Sequence, residues 1–471
     1  MCEKHRLEPV SYVIMKEKPG VAMSLKQNKM GVVPIPKLII AMSLPAMISM
    51  MTQALYNIVD SIFVAQINEE AITALSMAFP VQLIIIACFV GMGVGINSLT
   101  SRKLGEKDFA SVRATAEHGY FIATLLYITI ALLGLLTSRA FFEWFTDDPL
   151  IIEYGSSYLQ IIMLFSFGRI YAQAGMSILQ GSGEMVFPMI AQIAGAIINV
   201  ILDPIFIFGW FGLPAMGVRG AAIATVTAQT ISLVVVLVFV FKIKKSIPFE
   251  PQKFKLDLNI LKSILVVGFP AAIMQALASV MLTGLNLILV GFSTTAVAVL
   301  GIYYKLQSFV FMPIFGLSQG MMPIIGYNYG AREKKRLIHA IRFGLGFAVL
   351  YMSVGMLGFQ LFSRHLILLF NGTEEMLAIG TRAFGIISLT YPLTAVSIMF
   401  STTFQGLGEA HYSMFVSFIR QIVILLPLAY LLSKLGNIDV IWYAFIIAES
   451  IGVISVLIFF RHIYHKRIKS L

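Results

Sequence analysis

Residues 186–209 read VFPMIAQIAGAIINVILDPIFIFG, and the only charge in the run is Asp203. A helix needs about 20 apolar residues to cross hydrocarbon, so this stretch reads as a transmembrane helix. A carboxyl deep inside such a helix costs about 2.5 kcal/mol or more, so it is expected to have a task or a partner. Asn199 stands four residues earlier, on the same helical face. Pro204 has no N–H, so it is expected to free the carbonyl of Val200 and bend the helix there. A bend, a free carbonyl and a carboxylate together suit a cation or a proton.

Eleven more runs of this kind surround it, near 37–65, 72–100, 118–138, 151–179, 219–242, 260–291, 296–325, 338–362, 376–404, 412–433 and 440–460. The chain is 58% hydrophobic and 12% charged, against about 25% charged in soluble proteins. Its solvent is mostly lipid. The fold class is therefore all-α and integral to the membrane, with twelve transmembrane helices.

The net charge of +11 is a topology signal rather than a nucleic-acid surface, because it recurs between the apolar runs. With the N-terminus placed inside, the inner segments hold 26 of the 34 Lys and Arg. The outer segments hold only Arg139, Arg219, Arg364, Arg382 and Lys434. Both termini are expected in the cytoplasm of a cell-membrane protein. Residues 1–36 are expected to form a cytosolic tail, 243–259 a cytosolic linker and 463–471 a second tail. Between them lie an N-terminal lobe, 37–242, and a C-terminal lobe, 260–462.

The two lobes are repeats. Shifted by 225 residues, Pro45-Ala46 falls on Pro270-Ala271, Gln82 on Gln307, and Gly91, Gly95 and Gly105 on Gly316, Gly320 and Gly330. Gln180-Gly-Ser-Gly-Glu184 falls on Gln405-Gly-Leu-Gly-Glu409. Six spans per half is an even number, so the lobes share one orientation as parallel repeats. Transporters built this way hold substrate between or within the lobes and rock one against the other.

A second acid, Asp60, sits late in the first span. Gln53, Tyr56 and Asp60 share a helix face, with Asn57 beside them. Arg169, Lys305 and Arg420 are the bases inside spans, and Lys305 replaces Pro80 of the first repeat. Phe79, Gln82, Gln307, Met163 and Tyr303, with Asn57, are candidates to line a substrate cavity; methionine adapts to many ligand shapes.

Enzyme chemistry has no foothold. The sequence holds no GxxxxGK[ST] and no HExxH, and Gly91-x-Gly-x-Gly95 lies in a span, where it lets helices approach. The seven His lie in tails, loops or span ends. Cys2 and Cys88, the only cysteines, make no disulfide framework, and no metal site or cofactor is expected. Asn371-Gly-Thr373 fits a glycosylation pattern in an outer loop.

These residues together resemble the MATE (multidrug and toxic compound extrusion) family, most of all its MepA-type bacterial branch. The carriers are Ser43-Leu-Pro45, the Tyr56…Asp60 face, Gly91-x-Gly-x-Gly95, both copies of Gln-Gly-x-Gly-Glu, and Asn199-x-x-x-Asp203-Pro204. The resemblance covers residues 35–465. It implies a two-lobe, twelve-helix exporter of cationic lipophilic drugs and dyes, acting as a monomer among membrane lipids. It also implies that Asp60 and Asp203 meet in the N-terminal lobe with Gln53, Tyr56, Asn199 and Thr225 to bind H⁺ or Na⁺. An acidic site in the C-terminal lobe is not expected, since spans 7, 8 and 11 lack Asp and Glu. The competing expectation is a flippase for a lipid or lipid-linked saccharide of the same superfamily, its cavity lined by Arg169, Lys305 and Arg420.

Overall fold

A computed structural model describes residues 28–242, 254–370 and 372–471. Most of the expected N-terminal tail, the linker 243–253, Cys2 and Asn371 lie outside these residues.

A one-turn helix α1 (Lys29–Val32) precedes the N-lobe. The lobe contains α2 (Ile35–Ala65), α3 (Glu69–Gly105), α4 (Phe109–Phe145), α5 (Pro149–Leu164), α6 (Phe167–Gly181), α7 (Val186–Phe208) and α8 (Gly217–Lys242). The C-lobe contains α9 (Leu258–Val290), α10 (Thr294–Gly330), α11 (Lys334–Leu368), α12 (Glu374–Ser388) and α13 (Tyr391–Gly406). Its eleventh span joins α14 (Ala410–Phe418) to α15 (Leu426–Ser433) through a π-helical stretch, Ile419–Leu425. The twelfth joins α16 (Ile438–Ile441) to α17 (Tyr443–Ile463). Ten helices are long and apolar enough to cross a membrane, and the bent pairs α5–α6 (43°) and α12–α13 (47°) complete the twelve.

The helices outrun the apolar runs. The third span, expected over 118–138, covers Phe109–Phe145. Hydropathy sees only the oily middle, whereas caps set the ends. Asp108 accepts from the Ser111 N–H (3.1 Å) and Asn68 from the Ala71 N–H (2.8 Å). Pro204 does not interrupt α7, which runs helical through it.

The 225-residue offset holds at the level of single residues. Asn68 caps α3, and its repeat mate Ser293 caps α10. Lys107 and Arg332 both take positive φ, at 61° and 57°. The breaks in spans 4 and 10 fall at matching places. In both Gln-Gly-x-Gly-Glu copies the second glycine adopts positive φ, 94° at Gly183 and 83° at Gly408. This geometry ends the helix and lets the following N–H reach back, Glu184 to the Leu179 carbonyl and Glu409 to that of Phe404. The motif is a helix stop.

The lobes meet most closely along two seams, α2 on α10 and α3 on α9, and α3 also packs on α10. Both seams lie at the end of the bundle that carries the chain termini. A Cβ on Gly91 would lie 2.5 Å from the Gly268 carbonyl, one on Gly95 2.3 Å from that of Ile264, and one on Gly316 2.5 Å from the Met47 backbone. Only glycine permits that approach. Toward the opposite end the same helix faces separate. On α2, Asn57 and Ser61 are exposed, and on α10 Gly301, Lys305 and Phe309 are exposed. The result is a cleft between the lobes, closed at the terminal end.

The described residues of the two expected tails are packed against the lobes. Met30 is fully buried against the C-lobe, and its carbonyl accepts from Asn328 (3.3 Å) and Arg336 (3.0 Å). Lys29 pairs with Glu184 of the N-lobe (3.3 Å), so residues 28–33 bridge both lobes. At the C-terminus, Arg467 pairs with Glu409 (2.8 Å) and Ile468 is buried. Short polar stretches read as tails because their partners, Asn328, Arg336, Glu184 and Glu409, are distant in sequence.

Candidate functional site

The N-lobe encloses a polar chamber in otherwise apolar packing. Asp203 of α7 is fully buried and Asn199, one turn earlier, is 2% exposed. The Asn199 Nδ2 donates to Asp203 Oδ1 (3.3 Å) and lies 3.5 Å from the Thr225 hydroxyl of α8. Asp203 Oδ2 and Asn199 Oδ1 have no hydrogen-bond partner. A buried acceptor pair left open is expensive, and a proton or a small cation would satisfy it.

Asp60 of α2 comes close enough to Asp203 for the two carboxyls to interact directly. Tyr56, one turn before Asp60, reaches Thr225 and stands beside both acids. Tyr158 of α5 is buried beside Tyr56 and Asp60 and is within reach of Gln82. Arg169 of α6 lies over the Phe89 ring (4.9 Å to its centroid) and is the nearby positive charge. Two acids, one base, two phenols and an amide thus surround one point.

The remaining residues singled out from sequence are scattered. Gln53 bonds to Asn57 (3.0 Å) and accepts from Gln192 of α7 (3.2 Å), a separate amide link earlier along α2 and α7 than the carboxyls. Asn57 and Phe79 are exposed, on the same lobe as the chamber. Gln82 and Gln307 are half-buried. Met163 and Tyr303 belong to the lobe cores, a correction to their place in a cavity. Met163 is wedged against Gly134 of α4, and Tyr303 packs between Phe359 (5.9 Å) and Phe384 (5.6 Å). Their side chains point the way the helix core demands, which span membership alone does not reveal.

Tyr158 went unread in the sequence, because a single tyrosine in an apolar span looks like packing. The C-lobe held a second surprise. Arg420 of the π-helical stretch and Glu449 of α17 form a half-buried ion pair at 2.5 Å, with Thr394 beside it. Arg420 lies against Gly452, one turn after Glu449, where a Cβ would come within 3.1 Å.

Twelve spans in two parallel-repeat lobes, a closed seam at one end and an acid-bearing chamber in one lobe define a secondary transporter rather than an enzyme. The chain belongs to the MatE family, whose model matches it twice, over residues 45–205 and 270–431. Among curated relatives, it is 25% identical over 418 residues to an FAD transporter of Shewanella oneidensis (86% of this chain, 90% of the other). It is 23% identical to the multidrug export protein MepA of Staphylococcus saprophyticus (88% and 91%) and 24% identical to a probable multidrug resistance protein, YoeA, of Bacillus subtilis (90% and 93%). Among solved structures, an outward-facing multidrug resistance MATE transporter matches with a TM-score of 0.89 at 25% identity, covering 95% of this chain and all but 1% of its own length. A transporter from Pyrococcus furiosus, described as having a binding pocket of reversed polarity, matches with a TM-score of 0.87 at 26% identity (93% and 97%).

Proposed function

We propose that the protein is a multidrug efflux antiporter that exports cationic lipophilic compounds in exchange for H⁺ or Na⁺. The observation that carries this reading is the buried, half-satisfied carboxyl of Asp203 facing Asp60. The positive-inside rule puts both termini in the cytoplasm, so the cleft opens outward and the glycine seam closes the inner side. From outside, one H⁺ or Na⁺ enters between the two carboxyls, with Asn199, Thr225 and Tyr56 as neutral partners. Neutralising the pair favours release of the cationic drug and return to the inward-open state. One H⁺ or Na⁺ taken in for one monovalent cationic drug sent out moves no net charge, so the concentration gradient of the coupling ion supplies the drive. The potential adds about 2.3 kcal/mol per 100 mV only for each net charge moved inward.

Names of relatives support export of small molecules, since several are named multidrug export proteins and one a probable multidrug resistance protein. The flippase reading has less support. It requires a cationic cavity lined by Arg169, Lys305 and Arg420, but Arg169 lies in the N-lobe chamber and Arg420 is neutralised by Glu449. The test is dye efflux from cells, with proton and sodium gradients collapsed separately. Wild type is expected to extrude ethidium until one of the two gradients is removed. Efflux that survives collapse of both would contradict ion coupling.

A further inference from the structure

Of the three bases inside spans, Arg420 is paired with Glu449 and Arg169 lies over the Phe89 ring in the N-lobe chamber, which leaves Lys305. It is exposed on α10 and makes no ion pair among the described residues. Its direction follows from the helix. Gly316 and Gly320 of α10 press against Met47 and Ser43 of α2, and Gln319 meets Met50 of α2 and Gln180 of α6. Lys305 is three turns before Gly316 and, counted as an ideal helix, within about 20° of the same face, with Pro313 between them. Its ammonium therefore projects into the interlobe cleft from the C-lobe wall. Tyr303, two residues away, points the other way into the C-lobe core.

The carboxyls buried mid-span are committed elsewhere. Asp60 faces Asp203 inside the N-lobe, and Glu449 holds Arg420 inside the C-lobe. The α2 face opposite Lys305 offers Asn57, Ile58 and Ser61, which are all exposed and uncharged. An ammonium left unpaired within a membrane-spanning helix persists where it lines a water-filled path. There it presents three donors and a positive charge to whatever passes.

We propose that Lys305 binds the anionic group, a carboxylate or a phosphate, of an amphiphilic substrate whose cationic or aromatic part lies toward the N-lobe. The preferred substrates are then zwitterions rather than simple cations. This deepens the proposed function and rests on it only in taking the cleft as the substrate path. The N-lobe acids and the C-lobe lysine recognise opposite ends of one molecule.

The test uses the purified full-length protein in phosphatidylcholine nanodiscs, without ion gradients. Two dyes are titrated by fluorescence: rhodamine 110, which carries a free carboxylate, and rhodamine 123, its methyl ester. Wild type is expected to bind the acid about fivefold more tightly than the ester, the scale of one solvated ion pair. Lys305→Gln is expected to bind both alike with the ester affinity unchanged, and Lys305→Arg to keep the preference. A second series in nanodiscs containing phosphatidylglycerol identifies the source of the anion. A lipid headgroup at the same ammonium weakens acid binding in wild type and not in Lys305→Gln, while a soluble substrate's carboxylate is unaffected. The proposal is overturned if Lys305→Gln keeps the preference, or if wild type shows none. Because the ratio is an equilibrium property, it holds even if efflux proves independent of ion gradients, the result that would sink the antiporter reading instead.

Discussion

Where the N-lobe places Asp203, Asn199 and Asp60, the C-lobe places Leu428, Ile424 and Leu285, each exactly one repeat away at the 225-residue offset. Conversely, the C-lobe ion pair of Arg420 and Glu449 falls on Gly195 and Ala224 of the N-lobe. The backbone plan is shared to the level of helix caps and positive-φ residues. The chemistry is not. One chamber holds two acids that face each other, and the other holds an acid paired with a base, their charges cancelling although Glu449 Oε2 is also left without a hydrogen-bond partner. Duplication supplied a scaffold, and divergence at a few inward positions divided the labour. On the proposed function, the N-lobe exchanges the cation and the C-lobe pair holds its lobe's shape.

Several experiments press on that division. The largest effect is expected at Asp203. Asp203→Asn removes the charge without changing size, and ion-driven efflux should fall at least tenfold at unchanged expression, the mark of a group whose charge is essential. Efflux assays normalised to membrane protein level check this. In the C-lobe the expectation is structural. Arg420→Met leaves Glu449 buried and unpaired and should cost about 3–5 kcal/mol of stability. The double change Arg420→Met with Glu449→Leu should recover most of it, and thermal unfolding in detergent reports both. If the double variant unfolds as readily as the single one, the pair is more than a closed structural contact.

Smaller effects probe the shared scaffold. Gly183→Ala and Gly408→Ala force a Cβ into positive φ and should each cost about 1–2 kcal/mol. The Gly408 change should be the worse of the two, because its Cβ would also lie 2.5 Å from the Arg102 guanidinium. The smallest is Asp108→Ala, a lost helix cap worth about 1 kcal/mol. Hydrogen bonds from the Ser111 side chain and backbone, with Lys103 nearby, hold the Asp108 carboxyl below the usual carboxylate range. Its contribution is therefore full at neutral pH and is lost only as pH falls through that lowered value. Thermal unfolding compared at neutral and acid pH should show the two proteins converge in acid.

The fold was legible because both of its signals are long-range averages. Twelve apolar runs and one gap-free offset do not depend on any single side chain. The site was half legible. Asp203 stood out because an acid is rare in a span, and Asn199 because the helical period carried it to the same face. Tyr158 gave no such contrast. Met163 and Tyr303 were placed in a cavity when they fill lobe cores, because hydropathy says that a helix is buried but not which side faces its neighbours. Arg420 and Glu449 are 29 residues apart on different spans, so their pairing is visible only in three dimensions. The packed ends, residues 28–33 and 464–468, escaped for the same reason.

The most direct test of the acid pair uses proteoliposomes loaded with ethidium, with either a proton gradient or a sodium gradient imposed alone. Wild type is predicted to move the dye against its gradient under one of the two, and both Asp60→Asn and Asp203→Asn to let it move only downhill. Uphill transport by both variants at the wild-type rate would contradict the N-lobe carboxyls as the coupling site.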